Sequence, residues 1–137
     1  MNGLIEVRVS NLVGAALDWA VAMAEGYKQD TEDAHAIISP RGVYTSVTVR
    51  GAASGFGFRP SSNWDHGGPL IDKHRGSTQH FDGLAEDASY GGGPAGAAVW
   101  LYGPTALVAF CRGLVLHILG GTVRVPRELV AGVSTKF

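Results

Sequence analysis

The densest run of chemically capable side chains lies in residues 58–72, Phe58-Arg59-Pro60-Ser61-Ser62-Asn63-Trp64-Asp65-His66-Gly67-Gly68-Pro69-Leu70-Ile71-Asp72. It sets two hydroxyls, an amide, two carboxylates, an imidazole and an indole around a pair of prolines. Pro60 and Pro69 stiffen the segment, and Gly67-Gly68 admit backbone angles closed to other residues. A stiff polar loop carrying one large aromatic is a common way to recognise a small ligand. The same residue types also suit a plain structural turn, with Ser61, Asn63 and Asp65 bonding backbone amides and Trp64 filling the core. Residue types alone leave both readings open.

A second chemistry would be metal-assisted hydrolysis. Asp65, His66, Asp72, His74, His80 and Asp82 fall close together, and carboxylate and imidazole suit zinc, iron or manganese. Their spacing matches neither a helical His-x-x-x-His nor a facial-triad pattern, so no metal ligand is assigned and no cofactor is expected. Gly91-Gly92-Gly93-Pro94-Ala95-Gly96 satisfies G-x-G-x-x-G as a string. A dinucleotide fingerprint must follow a buried strand and open a helix. Here polar residues precede it, and a flexible surface loop is expected instead. There is no G-x-S-x-G elbow. Cys111 falls on the apolar face of a helical pattern, where a thiol is an inert filler. His117 and Arg112 lie elsewhere on that pattern without triad partners. No catalytic residue is assigned, and the reading leans away from an enzyme.

These groups must be carried by a small chain. Its 137 residues fit one domain, residues 1–137, long enough to bury about 70% of its unfolded surface. A hydrophobic share of 45% is that of a globular protein. The net charge of -1 gives no field for nucleic acid or anionic membrane. A single cysteine excludes an internal disulfide and fits a reducing compartment. No apolar run reaches the ~20 residues of a membrane span, and no basic-then-apolar leader is present, so the cytoplasm is the expected location.

The elements follow from periodicity. Residues 4–9 alternate as a strand, with Ile5, Val7 and Val9 on one face. Ser10 offers a cap to a helix over residues 12–25, whose apolar positions recur at helical spacing and which Gly26 should end. Residues 28–35 read as loop. Val43, Thr45, Val47 and Val49 alternate as a half-buried strand. From 51 to 96 glycine, proline, serine and aspartate dominate, so long loops with at most one short strand are expected. Residues 97–102 make a short strand. Pro104 suits the first turn of a helix whose 3.6 period runs through Ala106, Leu107, Phe110, Cys111, Leu114, Val115 and Ile118 to a stop at Gly120. Val123 and Val125 form a short extended piece. The architecture expected is α+β: two amphipathic helices packed on one face of a small, mostly antiparallel sheet with long loops.

Three blocks carry a family resemblance. The first runs from Val7 to Ala22 and includes Glu25-Gly26. The second is Pro60-Ser61-Ser62-Asn63-Trp64 with Gly67-Gly68-Pro69-Leu70-Ile71. The third is Leu107-Val108-Ala109 with Arg112, Gly120, Val123, Val125, Pro126 and Leu129. In this order they resemble the phage NinX-like proteins, small proteins of uncharacterised function. Asp72 stands where that family usually has glutamate, and Phe110-Cys111 where it has Ala-Met. Residues 28–57 and 73–96 carry none of the pattern, so His74 and His80 gain nothing from it. The resemblance implies a phage or prophage accessory protein acting in the cytoplasm of a bacterial host. It also draws attention to Arg112, which could reach the 61–72 segment and pair with Asp65 or Asp72, or hold an anion.

The function expected is a non-catalytic module that binds a small anionic or nucleotide-like ligand through Ser61, Ser62, Asn63, Trp64, Asp65, Asp72 and Arg112. The alternatives are a metal-assisted hydrolase built on Asp65, His66 and Asp72, and a protein–protein interaction module. Homodimerisation is compatible with so small a domain. Membrane binding is not expected, nor is nucleic acid.

Overall fold

The structure is a computed structural model and describes residues 3–32 and 36–130. The chain opens with β1 (Leu4–Arg8), in which Ile5 and Val7 turn inward while Glu6 and Arg8 face solvent. Its partner is β8 (Thr122–Pro126), paired antiparallel with Ile5 opposite Val125 and Val7 opposite Val123. The two inward pairs therefore meet on one face. Val9 leaves the strand for a short 3-10 turn, Val9–Asn11. Ser10 consequently lies within that turn rather than at a helix cap, and helix α1 (Gly14–Ala24) starts from Val13 without a side-chain cap.

The helix ends as expected. Gly26 adopts φ 89°, and Tyr27 N–H donates to the Ala22 carbonyl at 2.9 Å, satisfying a carbonyl the helix would otherwise leave open. Every residue from 15 to 22 is buried. A helix apolar on nearly all sides belongs inside a fold. It is packed against helix α4 (Ala106–Leu119), of which residues 107 and 109–115 are likewise buried. The pair forms the centre of the protein rather than a layer on one sheet face.

Among the described residues three small antiparallel sheets and two further helices lie around it, so the α+β class holds while the single expected sheet is divided. One sheet is β1–β8. The second joins β2 (Lys28–Gln29), β3 (Ala36–Ile38) and β4 (Tyr44–Ser46). The stretch expected as loop over 28–35 thus contributes a strand at its start; residues 33–35 lie outside the described residues. The strand expected over residues 43–50 stops at Ser46, because the Thr48 hydroxyl accepts from Gly51 N–H at 2.8 Å and caps helix α2 (Val49–Ser54).

Residues 51–96 depart most from expectation. Instead of long loops they hold most of α2, helix α3 (Trp64–Lys73), and strands β5 (Ser77–His80) and β6 (Tyr90–Gly93), the latter paired on its other side with β7 (Leu101–Gly103). Of the strand expected over 97–102, only the last two residues join β7. The glycine run expected as a surface loop is the buried middle strand of this third sheet, with Gly91, Gly92, Gly93 and Pro94 all buried. Its composition has a packing cause. Helix α4 lies so close over β6 that a Cβ on Gly92 would stand 3.1 Å from Phe110 N, and one on Gly113 would overlap the Gly92 carbonyl. Backbone touches backbone, which only glycine on both sides permits. Pro104 precedes the α4 cap, which is Thr105, whose hydroxyl accepts from Val108 N–H at 3.1 Å.

Candidate functional site

The segment singled out by its residue types is a capped helix, not a loop. Asn63 is the cap of α3, its side-chain oxygen accepting from Asp65 N–H at 2.9 Å. Asp65 sits in the first turn, where a carboxylate complements the helix dipole. Ser61 is buried and donates its backbone N–H to the Asp18 carboxylate at 2.8 Å, tying the start of α3 to α1. Burial pushes the Asp18 carboxyl up to about 6, against the opposing pull of Ser61 and Arg59. His66 Nδ1 accepts from Arg59 N–H at 2.9 Å. Burial, helped by the Arg59 charge, lowers its pKa, so the neutral ring offers Nε2–H.

Trp64 does not fill the core. It is 58% exposed and lines a groove of about 550 Å³ with Ser61, Ser62, Tyr90 and residues 104–108. The starts of two helices, α3 and α4, therefore border one groove, and among the described residues no charged side chain does. The first amides of each helix lack intrahelical partners, and the helix dipoles make both ends weakly positive. Asp72 is exposed near the far end of α3 and does not border this groove.

Arg112 also lies apart from the groove. It is buried at 8% exposure, its Nε donating to the Leu12 carbonyl at 2.9 Å and a terminal nitrogen to the Tyr102 carbonyl at 2.6 Å. Thus it pairs with neither Asp65 nor Asp72, as the sequence had suggested, but holds the turn before α1 to β7. A neighbouring depression of about 440 Å³, which Arg112 borders together with Asp87 and Pro104, shares Pro104 with the groove. Burial lowers the Arg112 pKa, and Asp87 opposes that shift. For the hydrolase alternative, no three His, Cys, Asp or Glu side chains come together as a metal set among the described residues.

A further cleft lies beyond the reach of sequence reasoning. It has a volume of about 720 Å³ and opens between the β3–β4 hairpin and α3, with Tyr27, Phe58 and His66 on its wall and Glu25, Arg41 and Lys73 among its charged residues. The Glu25 side chain is only 5% exposed and bonds Lys73 at 2.6 Å and His74 at 2.7 Å. The partners lie almost fifty residues apart in sequence, so no local spacing signals them.

Fold and groove together define a small α+β protein organised on two buried helices, with the Trp64 groove at the starts of α3 and α4. A family model described as Bacteriophage P22, NinX matches residues 8–117, and the chain belongs to this family of phage proteins. The match runs through residues 28–57 and 73–96, which the three-block resemblance left out, and stops short of β8. No match was found among curated proteins. No helix among the described residues is long and apolar enough to cross a membrane.

Proposed function

We propose that this protein is a non-catalytic binding module, acting in the cytoplasm of the infected host, that holds a small anionic, nucleotide-like ligand in the Trp64 groove. The observation that carries the reading is the exposed indole of Trp64 on a groove bordered by the starts of α3 and α4. An indole face stacks on a planar base. The caps occupy the Asp65 and Val108 amides, and among the described residues the amides of Trp64, Ala106 and Leu107 remain to attract an anion without a charged side chain. Ser62, Thr105 and Tyr90 add hydroxyls for orientation, and Asn63 and Ser61 hold the first turn of α3 in place. Arg112 supports the wall from behind by fixing the carbonyl two residues before Pro104. Membership of a phage family supports the host setting.

The test is a thermal-shift panel of nucleoside mono-, di- and cyclic phosphates, repeated on Trp64→Ala. At least one compound is expected to raise Tm in a concentration-dependent way, with the rise lost in the variant. A flat panel, or a shift that survives Trp64→Ala, would remove the reading.

A further inference from the structure

We infer a second small-molecule site, separate from the Trp64 groove: the cleft between the β3–β4 hairpin and α3 takes a planar aromatic ring carrying one negative charge. Its wall is a row of three rings. Tyr27 and Phe58 lie 5.0 Å apart between centroids and inclined by 29°, and Phe58 and His66 5.9 Å apart and inclined by 17°. A further flat ring can extend such a near-parallel row at its end. The volume of about 720 Å³ falls in the range that encloses a small ligand.

The charges select the sign and number. Glu25 is buried, and its two oxygens are engaged by Lys73 and His74, so its own charge is countered within the protein. Lys73 is spent on the same contact. Arg41 is exposed at the cleft, and its guanidinium makes no ion pair or hydrogen bond among the described residues. One uncommitted guanidinium complements one carboxylate. The neutral His66 ring, fixed by Arg59 N–H at Nδ1, leaves Nε2–H as a donor at the wall. The Gly57 backbone, with φ 83°, passes so near the Ser46 carbonyl that any Cβ would collide with it, and Phe58 N–H donates to the same carbonyl at 3.0 Å, tying Phe58 to the hairpin.

The probe is benzoate, titrated into the full chain and followed by amide chemical shifts. Cyclohexanecarboxylate serves as charge without a π face and benzamide as ring without charge. Saturable shifts are expected at Thr45, Gly57 and His66, with either control weaker by about fivefold or more. Arg41→Glu and Val43→Glu both change exposed side chains on the rim and should each weaken benzoate by about tenfold, whereas Trp64→Ala should leave it unchanged. The inference is overturned by absence of saturation at about 20 mM, by shifts centred on Ser62 and Thr105, by benzamide binding as tightly as benzoate, or by both rim variants binding like the parent. Because the probes and variants differ, this site and the Trp64 groove stand or fall separately.

Discussion

At the scale of single residues the buried polar groups are the most informative. Asp18 is 1% exposed with a carboxyl pKa of about 6, against 3.8 for the free group. The folded chain therefore holds this proton more tightly than the unfolded chain does. Below about pH 4 both states are protonated, and the folded state carries no penalty. Between 3.8 and about 6 only the folded state keeps the proton, so stability falls as pH rises through that window and stays lower above it. The cost of the charged form is on the order of 3 kcal/mol. Asp18→Asn keeps an oxygen for Ser61 N–H and discards the charge. Denaturant unfolding should show it about 1–3 kcal/mol more stable than the parent at pH 7.5, with a shallower pH dependence between 4 and 6. A variant less stable than the parent at pH 7.5 would mean that the ionised form is favoured where it sits. Arg112 gives the opposite case. Its two bonds to carbonyls use the planar fork, which an ammonium cannot reproduce. Arg112→Lys should cost about 2 kcal/mol in the same measurement; an unchanged midpoint would deny it the clamping role.

At the scale of elements, α4 and its glycine partner decide the fold. Thr105→Ala removes the cap of α4 and should lower stability by about 1 kcal/mol. Gly113→Ala places a methyl 2.7 Å from Gly93 Cα. Backbone on both sides leaves it nowhere to go, so a loss of about 3 kcal/mol or more is expected, read as a lower urea midpoint. How much of this was legible follows from the kind of signal each element carries. Helices α1 and α4 announce themselves by a 3.6 period and by Gly26 and Gly120, and Ile5 and Val7 announce β1 by alternation. Gly91, Gly92 and Gly93 carry no side chains and so no period. Their burial is dictated by α4, more than ten residues away, and composition alone reads them as a loop. Helix α3 was hidden in the same way, because Gly67, Gly68 and Pro69 lower its intrinsic propensity, although Asn63 and Asp65 are the cap and first-turn residues of such a helix. The exposed, groove-lining position of Trp64 could not be read from residue types, which suited burial equally well. The position of Arg112 behind that groove was set by contacts with Leu12, a hundred residues away.

At the scale of the whole molecule, the two ends of the described chain are bound into one sheet. β8 brings Val123 and Val125 into the core, followed by Leu129. A chain ended at residue 121 would leave Ile5 and Val7 unpaired and strip these side chains from α1. Its unfolding is expected to lose cooperativity, seen as a broadened thermal transition; a sharp transition at the parental Tm would contradict this closure. The α1–α4 pair also encloses Cys111, the chain's only cysteine, fully buried and with its thiol pushed well above its usual range by burial. A thiol reagent can reach that sulfur only when the helices part. The rate of its modification therefore clocks how often the native protein opens. Any compound that binds the closed form alone must slow that clock in proportion to its occupancy. The molecule thus carries a built-in reporter through which compounds for either cleft can be screened without an engineered tag.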